Sequence, residues 1–184
     1  MRWPVEKISG EQLAQMFALR RGYEPLRADC IINRSDGVDL EQLLAHEVRS
    51  RYAAALMTEP IENLPTEDVS SRVMLVVLPD GSGAIDLPEN TVRVGEVKLS
   101  SWIRSVCPME ADERILQAQS NRWSRGGRYE PVCVRRGERL NLYSPAAGGD
   151  AIEMLTVVRM PGKNETYAVT EPLLNAIINI NTEL

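Results

Sequence analysis

The chain has 184 residues, of which 43% are hydrophobic and 26% charged, and its formal net charge is −5. This balance excludes a disordered tail, a collagen-like rod and a membrane-embedded chain. A single histidine, His46, and three cysteines, Cys30, Cys107 and Cys133, exclude a His-rich metal site and most histidine-based catalysis.

The first predicted element is a helix. Ser9-Gly10-Glu11 leads into an apolar face of Leu13, Met16 and Phe17, and Gly22 closes it as a left-handed cap. After a loop through Pro25, Asp36-Gly37-Val38-Asp39 opens the strongest helix, with Asp39 as N-cap. Leu40, Leu44, Val48, Tyr52 and Leu56 recur at four-residue spacing, with Leu43 and Ala55 beside them. That is one apolar stripe over roughly five turns. His46 lies off the stripe, on the flank or outer surface.

From residue 72 the period changes. Val73-Met74-Leu75-Val76-Val77-Leu78 is an apolar run of strand length, and Pro79-Asp80-Gly81-Ser82-Gly83 turns it into a second strand, Ala84-Ile85-Asp86-Leu87. Asp-Gly between apolar runs is a hairpin signal, because glycine takes the positive φ of the turn. Residues 91–106 predict a long strand, bulged at Gly95 where alternation breaks. A polar helical or irregular excursion, 109–119, and a glycine loop at Ser124-Arg125-Gly126-Gly127 come next. Strands are expected at 131–135 and 140–143, joined at Arg136-Gly137-Glu138, and at 152–160 after a small-residue turn. Pro161-Gly162-Lys163-Asn164 turns the chain toward Tyr167-Ala168-Val169, and Thr170 caps a closing helix that has Pro172 in its first turn.

Helices first, then an antiparallel sheet or sandwich, then a C-terminal helix define an α+β fold, since alternating βαβ units are absent. The expected organisation is a single domain over 1–184, mainly helical over 1–70, mainly β over 71–169, and closed by the helix at 170–184.

Charge and targeting signals bound the function. A pI of about 5.1 argues against a chain built to coat nucleic acid. Lysine occurs only at Lys7, Lys98 and Lys163, so the basic residues are nearly all arginine. A guanidinium fork suits fixed ion pairs and interfaces, although a GC-rich genome gives the same bias. Three widely spaced cysteines form no CxxC pair, and Cys133 sits in an apolar run where a buried thiol is expected. The first residues lack an apolar leader and no run approaches 18 apolar residues, which predicts a soluble protein of a reducing, intracellular compartment with no membrane partner.

Chemistry-bearing patterns are sparse. Asp80-Gly81-Ser82-Gly83 is a hairpin turn, and Arg125-Gly126-Gly127-Arg128 opens no helix, so neither cradles a phosphate. Acids at Glu67, Asp68, Glu110, Asp112 and Glu113 read as solvated faces. The one basic concentration is Arg122, Arg125, Arg128, Arg135, Arg136 and Arg139, interleaved with Trp123 and Tyr129 and interrupted by Glu130 and Glu138. A mixed-sign face for subunit contacts is the stronger reading of it, and a nucleic-acid surface is the other. No catalytic residue, cofactor or metal is assigned.

The middle of the chain carries an order of residues that points further. Leu87-Pro88, Val92-Arg93 and the stretch Val97-Lys98-Leu99-Ser100-Ser101-Trp102-Ile103-Arg104-Ser105-Val106 precede Gln117, Gln119 and Asn121. A glycine loop, Glu130-Pro131-Val132 and Leu140-Asn141-Leu142-Tyr143-Ser144 follow. This order resembles the sheet region of phage head–tail adaptor proteins, the tail tubular protein A type of short-tailed phages and the ring proteins of crAss-like phages. The resemblance covers residues 85–145, and Leu87, Pro88, Arg93, Trp102, Arg104, Asn121 and Pro131 fall on positions of fold and contact rather than chemistry. It implies a non-enzymatic subunit of a ring below the portal, from an intact phage or a prophage, in the virion or the cytoplasm of the host bacterium. The implied partners are further copies of itself, portal and tail proteins, and non-specific DNA in the channel. Candidate interface residues are then Arg93, Trp102, Arg104, Asn121, Arg122, Trp123, Arg125 and Arg128. The alternative is a small intracellular enzyme or ligand-binding domain, with a pocket between sheet and helices.

Overall fold

The computed structural model describes residues 3–22, 40–121, 123–143, 150–162 and 165–178. The Pro25 loop, Cys30, the helix start at Asp36 to Asp39, the turn at 146–149 and the pair Lys163-Asn164 lie outside them, as does Arg122. In chain order the elements are β1 (Glu6–Ile8), α1 (Gly10–Arg20), α2 (Leu40–Thr58), β2 (Glu67–Asp68), β3 (Leu75–Val77), β4 (Gly83–Asp86), β5 (Thr91–Leu99) and β6 (Met109–Glu110). They continue with α3 (Glu113–Ser120), β7 (Cys133–Arg136), β8 (Arg139–Leu142), β9 (Ile152–Arg159), β10 (Tyr167–Val169) and α4 (Glu171–Ile178). The protein is α+β. Its chain forms two compact units, one from Met1–Pro65 with Met160–Leu184 and the other from Thr66–Arg159. The last strand and helix therefore return to the N-terminal helices.

In the first unit, Ser9 and Gln12 cap α1 reciprocally: Ser9 Oγ accepts from Gln12 N and Gln12 Oε1 accepts from Ser9 N, each at 3.1 Å. Leu13 and Phe17 are buried, while Met16, expected on their face, is exposed. The guanidinium groups of Arg21 and Arg51 stand 4.8 and 5.0 Å from the Phe17 ring centroid, and both bond Glu47. The α2 stripe is buried at Leu44, Val48, Tyr52, Ala55 and Leu56, but Leu43 is exposed and His46 lies on the outer face. Tyr52 OH donates to Ala168 O at 2.8 Å, and Tyr167 meets its ring edge-on at 4.9 Å. Burial holds the Tyr52 phenol well above its ordinary range. Strand β10, which carries both Ala168 and Tyr167, pairs antiparallel with β1.

Thr170 starts α4 as its sequence suggests. Its hydroxyl donates to Asn63 O and accepts from Leu173 N at 3.4 Å, so one side chain ties the helix start to the 3-10 turn at Ile61–Asn63. Thr170→Val keeps the shape and removes both bonds, and is expected to destabilise the fold by about 1 kcal/mol. Urea denaturation checks this; an unchanged midpoint would contradict it.

In the second unit, β5 and β9 form an antiparallel pair with β2 on the far side of β9. A five-stranded sheet has the order β3-β4-β8-β7-β6, antiparallel except for the parallel β6–β7 contact at its edge. Val97, Leu99, Leu155 and Val157 from the first sheet share one core with Ile85, Cys133, Leu140 and Leu142 from the second. Gly95 lies in a bulge, where the register steps from Val94↔Val157 to Val97↔Leu155. A Cβ there would come within 2.6 Å of Thr156 Oγ1, which accepts from Glu96 N at 2.8 Å. Glycine is required by that close approach rather than by its φ.

The hairpin joining β3 and β4 turns at Gly81, with φ of 77°. Asp80 Oδ1 accepts from Ser82 N at 3.0 Å and from Ser82 Oγ at 2.6 Å, closing the turn. The strand formed by the apolar run 73–78 is shorter than the run. Only Leu75–Val77 pair, at an edge, and Met74, Val76 and Val77 are exposed.

Candidate functional site

Two loops of the second unit carry most residues singled out by sequence: 100–106 after β5, and 121–130 after α3. They are joined where Ile103 N donates to Arg128 O at 3.2 Å. The turn at Ser100 and Ser101 is closed by Asp150, which accepts from Ser100 Oγ at 2.6 Å, Ser101 N at 2.9 Å and Ser101 Oγ at 2.5 Å. Trp102 N then donates to Leu99 O at 3.0 Å.

The second loop is anchored from within. Asn121, the C-cap of α3, accepts at Oδ1 from Trp123 N at 3.0 Å. The buried Gln119 accepts at Oε1 from Gly126 N at 3.1 Å. Arg125 does the most. Its Nε donates to Gln119 O at 2.9 Å, its Nη1 to Asp80 O at 2.9 Å, and its Nη2 to Asp80 Oδ2 at 3.3 Å. The guanidinium also lies 5.9 Å from the Tyr143 ring centroid.

These anchors leave a surface of large side chains. Trp123 is 93% exposed and Tyr129 68%, and the Arg128 guanidinium is 5.7 Å from the Tyr129 ring centroid. Ile103 and Arg104 are exposed beside Arg128. Apolar rings flanked by guanidinium groups can stack on and hydrogen-bond a protein partner. Of the expected contact residues, Arg104, Trp123 and Arg128 are therefore exposed, with Asn121 positioning Trp123.

Three expectations change. Trp102 is not a contact residue: the tight turn after β5 sends its indole into the core, where it is 2% exposed. Arg125 is not an outward contact either, because its side chain is only 10% exposed and its donors go to Asp80 and Gln119. Arg93 lies half-buried on β5 opposite Val158. The basic concentration is also partly consumed. Arg135 donates to Val92 O, Thr91 O and Gly137 O at 2.7–3.0 Å, and Arg139 pairs with Asp86 at 3.4 Å. The sequence reading missed Ile103 as an exposed apolar residue, since a lone isoleucine beside a tryptophan carries no signal of its orientation.

Electrostatics follow the same geometry. Hydrogen bonds from Ser82, with the Arg125 guanidinium behind them, hold the Asp80 carboxyl below its usual value. Burial pushes the Cys133 thiol up to about 12, whereas Cys107 is exposed. An iodoacetamide time course at pH 8 with peptide mapping is expected to modify Cys107 quickly, and Cys133 only after unfolding. Rapid labelling of Cys133 in the folded protein would contradict its burial. Because the folded thiol stays protonated above the unfolded value near 9.0, Cys133 makes stability fall as pH rises beyond that point.

Among the described residues, no group of three or more His, Cys, Asp or Glu side chains could hold a metal ion. No described helix is long and apolar enough to cross a membrane. No family model, no curated protein and no solved structure matches the chain.

Proposed function

We propose that this chain is a non-enzymatic structural protein, a subunit of the head–tail connector kind from a phage or prophage. It self-associates and docks portal and tail proteins, with non-specific DNA in the channel, and works in the virion or the host bacterium's cytoplasm. The observation that carries self-association is Trp123, an indole 93% exposed on a loop anchored by Asn121, Gln119 and Arg125. Rigid aromatic side chains with arginine neighbours are the usual energetic centres of protein interfaces. The order of residues over 85–145 supplies the connector class. Protein contacts are favoured over nucleic acid because Arg125 and Arg135 donate to backbone carbonyls and Arg139 to a carboxylate.

The test is Trp123→Ala combined with Tyr129→Ala, followed by sedimentation equilibrium. Each aromatic anchor contributes about 2 kcal/mol, so the double variant loses about 4 kcal/mol and its apparent dissociation constant is expected to rise roughly 1,000-fold, with circular dichroism unchanged. Wild-type association in the double variant would contradict this surface.

A further inference from the structure

We propose that neighbouring copies join through the edges of the five-stranded sheet, with β3 of one copy added to β6 of the next. This rests on the self-association reading above and adds a backbone contact to the one made by Trp123 and Tyr129. Among the described residues, β3 has β4 as its only sheet neighbour and β6 has β7. Neither edge carries a further strand among the described residues.

The β3 edge is built for pairing in two respects. Leu78 N donates to Ser82 O at 2.7 Å, and the register runs Val77↔Gly83, Val76↔Ala84, Leu75↔Ile85. Antiparallel ladders alternate bonded and non-bonded pairs, so Val76 is bonded to β4. The amide and carbonyl groups of Leu75 and Val77 then face outward. Met74, 80% exposed, and the exposed Val76 and Val77 surround them, without a charge between Arg72 and Asp80. An inserted charge such as lysine is one of the devices that blunt open edges in monomers. This edge has no such charge.

Strand direction and charge select the partner. Three antiparallel steps from β3 to β7, then the parallel step to β6, make β3 and β6 run in opposite directions. Continuing the sheet head to tail therefore places β3 antiparallel to β6 of the next copy. The Arg72 end of β3 then lies beside the acidic end of β6, where Glu110, Asp112 and Glu113 are exposed. Opposite charges meet at that end, and Met109, exposed on β6, meets the apolar middle of β3. Arg72 keeps its own partner, Glu67, and adds a longer-range attraction. A contact between two different edges is heterologous, and its repetition makes a ring where the rotation between copies closes.

The test uses two full-length variants whose substitutions fall on exposed side chains, each checked by circular dichroism. One blocks the first edge, Met74→Lys with Val76→Lys, and the other blocks the second, Met109→Lys with Glu110→Lys. Each is expected to raise the apparent dissociation constant of self-association roughly tenfold or more. An equimolar mixture is expected to form a dimer that grows no further, because each copy retains one good edge. If only the β3 variant is impaired, and in the mixture the β6 variant associates with itself while the β3 variant stays monomeric, β3 pairs with itself and the proposal is overturned. If both variants assemble as the wild type does, the edges are not the contact, while the self-association reading stands. If the wild-type chain does not associate in the same runs, that reading fails and this proposal with it.

Discussion

Trp102→Ala is expected to lower stability by about 3–5 kcal/mol, the largest single effect in the second unit. Trp102 is 2% exposed and belongs to the core with Leu99, Leu142 and Leu155. Truncation removes the transfer free energy of an indole and leaves a void that strands on both sides limit from collapsing. Trp102→Phe, which retains much of the ring, should lose less than half as much. Guanidinium denaturation monitored by far-UV circular dichroism measures both. A loss under 1 kcal/mol for alanine would contradict the burial of the indole.

Arg125→Ala is expected to cost about 2–3 kcal/mol, because it removes three charge-assisted hydrogen bonds at a nearly buried site. Two of those bonds link the loop after α3 to the β3–β4 hairpin through Asp80 O and Asp80 Oδ2, and the third ties it back to α3 through Gln119 O. Lysine should recover little, since one ammonium cannot span acceptors that the planar fork reaches from both sides. The variant also changes the acid limb. Asp80 is held below its usual carboxyl value, so its contribution is present above about pH 4 and is lost as pH falls through the lowered folded value. Without Arg125 that lowering is smaller, while the Ser82 bonds keep part of it, and the acid loss becomes shallower. Denaturation curves between pH 3 and pH 7 check the sign. A steeper acid loss in Arg125→Ala would contradict the arrangement.

The sequence made local decisions legible. Thr170 as a cap, the four-residue stripe of α2, the Asp80-Gly81 turn and the break at Gly95 each depend on neighbours within a few residues. What it hid depends on sheet order and chain reversal. An apolar run such as 73–78 signals a strand but not its place, and this one lies at an edge, because the sheet order β3-β4-β8-β7-β6 is fixed by long-range pairing. Leu43 fits the α2 stripe by spacing, but the covering elements leave it exposed. Trp102 and Trp123 show the same limit at the candidate site. Both sit near arginines in sequence, and only the turn after β5 and the anchoring of the second loop decide that one indole is inside and the other outside. Arg125 and Arg135 read as contact residues for the same reason. The carbonyls that consume their donors are contributed by strands and turns up to 45 residues away.

The central claim is self-association of a structural subunit, and the most direct measurement is light scattering after size exclusion over a concentration series, with negative-stain images of the largest species. The account predicts a closed ring, populated more fully as concentration rises. A strict monomer at every concentration would contradict it.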